Sequence, residues 1–558
     1  MKYTDHIKTR ARRGEKTPQS EKILGTNQEK NNAGGFSFVV DKWSQLHRFL
    51  ILGSEGGTYY VGEAKLTKEN ATNVLACIKA DGKRVVNEVV KISQGGRAPR
   101  NDAALFVLAL AASMGDAETK SYAFKEMPKV ARIGTHLFAF ASNIRALRGW
   151  SKAVSKAFNR WYNDKSPREL AHQVTKYQQR NGWSHRDIFR LSHIKTNDEE
   201  KSLIYRWIIK GNEGGGLPET VPQVEGLRKI WAFERAKRAG SEAEVIRLVE
   251  EFKLPWECIP TNLRTPKVWE AMLPSLGMTA LIRNLGSLSS NGVLKKGGWD
   301  NLQLVQERLT NREALKKARI HPLNVLVAIN TYGRGRGVKG KKTWEVIPDI
   351  MDSLDEAFYA SFENVEPANK RFLLGVDVSG SMGGPELAGM TGITPRIGAA
   401  ALAMTIYRTE RKSLAMGFSH DFVDLGLSKK DSLGAVIKKM SGIPFGATNC
   451  ALPMVYAAER GIEIDTFVVL TDNETWYDGK PGGGYWGRRG NSAGKTGHPV
   501  QALQRYRDKT GIPARLVVLA MTPTKFSIAD PKDPGMLDIV GFDTATPKIV
   551  RDFSAGLL

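Results

Sequence analysis

Between residues 36 and 368 apolar side chains recur three and four positions apart, in stretches broken by Gly, Pro and Asn. Few segments there alternate with the period of two that a half-buried strand requires. This pattern predicts a long series of amphipathic helices. Past residue 370 it changes. The β-branched runs RFLLGVDVS, SLAMGFSHDFVDL, IDTFVVLTD and ARLVVLAMT interleave with the helical stretches RIGAAALAMTIYRTE, LGAVIKKM and VQALQRYRDKT, the signature of a parallel, doubly wound α/β sheet. Ahead of both lies a polar stretch containing TRARRGEK and an Asn- and Gln-rich run that ends at Gly34 and Gly35. The expected organisation is a flexible basic tail (1 to 34), a helical domain (35 to 368) and an α/β domain (369 to 558). The helical length suits roughly seven helix pairs of the 40-odd residues typical of HEAT-like repeats, although no strict internal repeat is visible.

One helical pair can be read closely. Ser166, Pro167, Arg168 and Glu169 form a capping box with proline at the first helical position. Leu170, Val174 and Tyr177 then fall on one face, and Asn181-Gly182 reads as the stop. His172, Lys176 and Arg180 share the opposite, solvent-facing stripe. A second helix opens at Ser184 with Asp187, buries Ile188 and Leu191, and directs His185, Arg186, Arg190, His193 and Lys195 towards water. Such a stripe is either a solvated polar face or a phosphate-binding surface, where each phosphate neutralised releases a counterion.

Charge sharpens the choice. The chain has 82 Lys and Arg against 58 Asp and Glu, a formal net charge of +24. Residues 1 to 368 carry 59 of those cations and 40 of the acids, so most of the excess precedes the α/β region. A balance this basic favours a polyanion such as nucleic acid. The loop GRGRGVKGKK at 333 to 342 reads equally as a lysine-bearing linker or a further contact. The longest apolar run, ALFVLALAASM, falls short of the roughly 18 to 20 residues of a membrane span, and the polar start of the chain lacks an apolar leader. Cys77, Cys258 and Cys450 are scattered without C-x-x-C spacing, which argues against a disulfide framework or a zinc site and for a reducing cytoplasm.

The candidate chemistry lies in RFLLGVDVSGSM. An apolar strand delivers Asp377, Ser379 and Ser381 onto a Gly-punctuated turn, and one carboxylate with two hydroxyls suits a hard divalent cation such as Mg²⁺. Asp472, after IDTFVVLTD, and Thr448, in PFGATNC, follow in the order of the metal-ion-dependent adhesion site of von Willebrand A domains, with all three segments expected at carboxyl ends of neighbouring strands. An enzyme reading is weaker. A phosphatase of the haloacid dehalogenase class needs a second carboxylate two residues after its first Asp, and that position is Ser379. Gly490, Gly494, Lys495 and Thr496 are one residue short of a P-loop. The chain is therefore expected to be a binding protein, with a metal-dependent adhesion scaffold as the alternative to an RNA-binding one.

Longer strings carry a resemblance. WSQLHRFLILGSEGGTYY (43 to 60), VTKYQQRNGWSHRDIFRLSH (174 to 193), MTALIRNLG (278 to 286) and RIHPLNVLVAINTY (319 to 332) resemble the TROVE domain. GVDVSGSM, GATNCALPM, TDNET and IADPKDPGMLDIVGFDT resemble the von Willebrand A domain of the same proteins, the Ro autoantigen family. The resemblance implies a monomeric ring of HEAT-like repeats closed by the metal-binding domain. It also implies Y RNA on the outer basic surface and single-stranded 3′ ends of misfolded or partly degraded noncoding RNAs in a central hole, in RNA quality control, with an exoribonuclease as a possible protein partner. The family's RNA-facing basic pair corresponds to Lys176 and Arg180, its next histidine to His193, and its metal site to Asp377, Ser379, Ser381, Thr448 and Asp472. The Gly-rich stretch at 480 to 499 departs from the family pattern as a longer insertion.

Overall fold

The computed structural model describes residues 17 to 53, 71 to 215, 217 to 337, 342 to 362, 366 to 384, 386 to 442, 447 to 473, 475 and 497 to 558. The TRARRGEK segment, residues 338 to 341 of the basic loop and 480 to 496 of the Gly-rich stretch lie outside them.

Short polar side chains start many of the helices. Asp41 accepts hydrogen bonds from the amides of Trp43 and Ser44 to open Lys42–Leu52, Ser151 accepts from Val154 to open Lys152–Asn163, and Ser241 accepts from Glu244 to open Glu242–Phe252. The most apolar stretch forms Asp102–Met114, in which every residue from Ala103 to Ala112 is buried. It is a core helix, packed on its neighbours all round. Among the described residues no helix is long and apolar enough to cross a membrane.

The described strands are β1 (Glu29–Lys30), β2 (Phe36–Val39), β3 (Gln179–Arg180), β4 (Trp183–Ser184), β5 (Arg371–Asp377), β6 (Lys412–Phe418), β7 (Phe422–Asp424), β8 (Thr466–Thr471), β9 (Arg515–Ala520), β10 (Phe526–Ser527) and β11 (Met536–Val540). Six of them form one sheet in the order β11-β9-β8-β5-β6-β7. All neighbours in it are parallel except β6 and β7. The sheet expected to be wholly parallel is thus mixed. The reason is chain length: only Ser419, His420 and Asp421 link β6 to β7, far too few for the crossover that a parallel pair needs.

The helical region closes onto the α/β domain from both of its ends. From the first helices, Arg48 reaches the carbonyls of Thr524 and Phe526 and the carboxylate of Asp538, while Nε of Arg97 donates to both oxygens of Asp543 at 2.9 Å. From the last helices, Nε2 of His321 lies 3.1 Å from the Arg97 carbonyl and 3.0 Å from that of Phe542, and Asn330 donates to the Gly392 carbonyl at 2.9 Å. Arg319 also donates to the Gln94 carbonyl at 2.8 Å, so the two ends of the helical series meet each other as well as the sheet.

The expectation of a flexible tail is corrected for residues 17 to 34. β2 pairs antiparallel with both β1 and β10, and Ile23 and Phe38 share a small core with Val500. Gln19, Gln28 and Asn31 are buried with their amides bonded to Asn449, His498 and the Thr475 carbonyl. Amide side chains that composition reads as solvating serve here as donors and acceptors for loop backbone.

Candidate nucleic-acid interface and metal centre

The basic hairpin begins as expected. Ser166 and Glu169 complete a capping box at Pro167–Lys176, and Ser184 and Asp187 complete another at His185–Ser192. Between them the structure differs. The first helix ends at Lys176, and Arg180 lies on β3, paired with Trp183 of β4, instead of on the helix. Asn181 and Gly182 have φ of 53° and 74°, the two left-handed residues that a tight two-residue hairpin turn requires. Asn-Gly thus forms a strand turn, not a helix stop.

His185 is the second correction. It is only 5% exposed, with Nδ1 2.6 Å from the Tyr162 hydroxyl and Nε2 2.9 Å from the Tyr177 carbonyl. A carbonyl can only accept, so Nε2 carries the proton and Nδ1 accepts from Tyr162. Burial pushes its pKa down to about 4, which keeps the ring neutral. His185 ties the hairpin to the helix Lys152–Asn163 and cannot face a ligand in solvent. The apolar seat expected of Leu191 is taken by Phe189, and Leu191 is only partly buried.

The remaining predicted cations stay available. Arg180, Arg186, Arg190 and His193 are exposed, His193 sits in the left-handed conformation that caps its helix, and half-buried Lys176 lies with Nζ 5.3 Å from the Tyr177 ring centre. Charges from other segments gather around them. His172, expected in solvent, is half-buried; burial and the nearby charges of Lys229 and Lys176 push it down to about 4. Burial lowers Lys229 as well, and the cations of Arg168 and Lys176 add to the shift. Burial depresses His136 to about 4 with Arg132 and Arg180 contributing, and Arg132 itself feels Arg319. Like charges held this close favour an anion in their midst. Arg132, His136, Lys229 and Arg319 escape sequence reasoning because each belongs to a different segment and carries no local motif.

At the sheet, Asp377 ends β5 and Asp472 follows β8. These adjacent strands flank the point where the chain reverses its direction across the sheet, the crevice in which open α/β sheets place ligands. The amide of Ser379 donates to Asp377 Oδ1 at 2.9 Å, Thr471 donates to Oδ2 at 2.6 Å, and the Ser379 and Ser381 hydroxyls lie 3.0 Å apart. Asp377, Ser379, Ser381, Thr448 and Asp472 are all at most 3% exposed. Thr448 does not arrive from a strand end as expected. It lies between the helices Leu433–Ser441 and Leu452–Arg460, on a loop fastened where Asn449 donates to the Ser419 carbonyl just past β6.

Burial and the Asp472 carboxylate beside it push Asp377 up to about 7. Two buried carboxylates with the paired Ser379 and Ser381 hydroxyls form a hard oxygen set whose like charges a divalent cation would neutralise, so these residues fit Mg²⁺, with Thr448 buried on the adjacent loop. Thr471 and Arg396, which donates to the Ser379 carbonyl at 2.9 Å, support this loop and were not evident in the motif.

Comparison with known proteins agrees with this architecture. The TROVE domain matches residues 29 to 214 and 237 to 332, and the Ro60 vWA domain matches 371 to 481 and 490 to 554. The chain is 39% identical to the RNA-binding protein RO60 of Deinococcus radiodurans, over 97% of each chain. It is 32% identical to the RNA-binding protein RO60 of Caenorhabditis elegans, over 97% of this chain and 92% of the relative. The crystal structure of the Deinococcus radiodurans Ro (Rsr) protein superposes with a TM-score of 0.67 at 38% identity, covering 93% of this chain and all of that one. With the helical region, the α/β domain and their order all matched, the chain belongs to the Ro60 family, a TROVE domain followed by a Ro60 vWA domain.

Proposed function

We propose that this protein is the RNA-binding component of a ribonucleoprotein. It holds Y RNA on the basic hairpin and its surroundings, and takes the single-stranded 3′ ends of misfolded or partly degraded noncoding RNAs through a central hole. The observation that carries this reading is the set of exposed Arg180, Arg186, Arg190 and His193 with half-buried Lys176 on one hairpin, with Arg132, Arg168 and Lys229 close by and relatives named as RNA-binding proteins. A closed helical ring admits a flexible strand and excludes a duplex, which selects RNAs with unpaired ends. Y RNA on the same surface competes with those substrates and acts as a gate. The protein works as a monomer in the cytoplasm, for RNA quality control. It does no chemistry of its own, because the loop at Asp377 has a serine where a hydrolase of that class needs its second acid.

Asp377, Ser379, Ser381, Thr448 and Asp472 hold one divalent cation, Mg²⁺, which ties the loops together and offers a position to a carboxylate of a protein partner such as an exoribonuclease. Purification at moderate salt, followed by sequencing of the co-purifying RNA against input, tests the main reading. Enrichment of a Y-like RNA and of RNAs with ragged 3′ ends is expected. Protein that carries no RNA and binds no structured RNA at low salt would overturn it. It would leave the second reading, a metal-dependent adhesion scaffold, which the buried Asp377 and Asp472 pair favours. In that case Asp377→Ala abolishes capture of a protein partner.

A further inference from the structure

Residues 17 to 37 are fastened to the two loops that carry Thr448 and Asp472. The fastening runs through Gln19, which is 1% exposed. Its Nε2 donates to the Gly497 carbonyl at 3.1 Å and to Oδ1 of Asn449 at 2.9 Å, and its Oε1 accepts from the Thr475 hydroxyl at 2.7 Å. A carbonyl can only accept, so the Gly497 contact fixes which end of the amide donates. Both amide hydrogens are then used. The side chain bridges the residue that follows Thr448 and the third residue after Asp472. The Thr475 hydroxyl also lies 3.3 Å from the Thr448 carbonyl, but it has one proton, and its shorter contact is to Gln19.

Further contacts press the same segment against the second loop. Asn31 donates to the Thr475 carbonyl at 2.9 Å and to the Ser37 hydroxyl at 3.1 Å, while its Oδ1 accepts from the Gly35 amide at 2.9 Å. A Cβ on Gly35 would lie 2.1 Å from the Thr475 carbonyl oxygen, so this close approach requires glycine. Beyond it β2 pairs with β10, and the amide of Ile528, the residue after β10, donates to Oδ1 of Asn473 at 3.2 Å. Asn473 directly follows Asp472 and is held at a φ of 64°. The Thr448 loop lies between two helices and the Asp472 loop leaves the end of β8. Strand pairing therefore does not set the spacing of these two residues, whereas the amide of Gln19 reaches both loops.

We infer that residues 17 to 37 are a clasp on the metal centre, with Gln19 as a positioning residue that holds Thr448 and Asp472 at the spacing one cation needs. The inference rests on the reading that the Asp377 set takes a divalent cation, and deepens it. A small hard cation binds well only where its oxygen donors are already near their final places. A buried amide with every hydrogen bond made is costly to satisfy only in part, so the clasp seats with both loops in register or not at all. The cation and the clasp favour the same arrangement of the loops. Whatever factor the seated clasp adds to the affinity for the cation, the cation adds to the seating of the clasp.

Two measurements on the full chain test this. Amide hydrogen exchange, followed by mass spectrometry in Mg²⁺ and in chelator, should show residues 17 to 37 exchanging about tenfold more slowly with Mg²⁺, although none of them is a ligand. Titration with Mn²⁺, read from its free-ion electron paramagnetic resonance signal, should show about tenfold weaker binding to Gln19→Met. That variant keeps the length of the side chain and removes its three hydrogen bonds. A side chain that served folding alone would change stability and leave Mn²⁺ affinity in the folded protein untouched. Wild type that binds Mn²⁺ with no slowing of exchange at 17 to 37, or Gln19→Met that binds it as tightly as wild type, overturns the clasp and leaves the metal site standing. Slowing by Mg²⁺ that persists in Asp377→Asn would be an effect of salt and would overturn it too. If Gln19→Met does not fold, the exchange of the wild type decides. Wild type that takes up no Mn²⁺ would instead remove the metal reading itself.

Discussion

The hydroxyl of Tyr162 donates to Nδ1 of His185 across 2.6 Å, joining two elements of the hairpin's support through a pair that is 0% and 5% exposed. Tyr162→Phe leaves that nitrogen buried without a donor and should destabilise the protein by about 1 to 3 kcal/mol. Urea denaturation measures this directly. Loss of RNA affinity in His185→Phe without loss of stability would return His185 to the contact role that its sequence position suggests.

Buried neutral histidines give the fold an acid limit. His185 and His321 are both held down to about 4 by burial, against about 6.5 for a free histidine. Lys165 lies on the His185 side, and Asp543 partly opposes the shift at His321. Between those values the unfolded chain binds more protons than the folded one. The contribution is therefore complete above pH 6.5 and is lost as pH falls towards 4, by up to about 3 kcal/mol for each histidine. Denaturation midpoints should hold from pH 7.5 to about 6.5 and fall from there to 4.5, and His321→Gln should flatten the decline.

Lys176→Ala with Arg180→Ala should weaken structured-RNA binding at least tenfold and reduce the slope of log affinity against log salt by about two, one counterion per phosphate contact. The melting temperature should be unchanged, because Arg180 is exposed and Lys176 half-exposed. Filter binding across a salt series is sufficient. An unaltered slope would remove both residues from the interface.

Asp377→Asn separates the two effects of the carboxylate pair. It removes a ligand, so titrated Mn²⁺ should no longer bind, as followed by the loss of its free-ion electron paramagnetic resonance signal. It also removes one of two like charges buried together, so the metal-free variant should gain about 2 kcal/mol at pH 8. A variant that still takes up Mn²⁺ would exclude Asp377 as a ligand.

At the junction of the two domains Arg97 holds Asp543 between groups that are 15% and 5% exposed. Arg97→Ala strands the carboxylate and should cost about 3 kcal/mol. The loss should be local. Amide hydrogen exchange should accelerate in Pro322–Gly333, which approaches the same backbone through His321, and in Met536–Val540. Uniform exchange with the wild type would show that the apolar contacts alone close the junction.

What could be read from the chain is what short-range physics decides. Ser166 with Glu169, and Ser184 with Asp187, predicted helix starts because a capping box is satisfied within four residues. Asp377 and Asp472 were legible as strand exits because β-branched runs deliver them. Asn181-Gly182 reads locally as a helix stop and is a hairpin turn, since the same left-handed dipeptide serves both and only the pairing of Arg180 with Trp183 selects between them. The burial of His185 depends on Tyr162, the seating of residues 17 to 34 depends on Asn449, Thr475 and β10, and the closure of the helical series depends on Asp538 and Asp543. The sequence by itself determined the elements, their caps and the metal-loop motif, because periodicity and capping act over a few residues. Tertiary structure decided which polar groups face water, because the partner that satisfies a buried donor or charge lies tens to hundreds of residues away and leaves no trace in the local pattern.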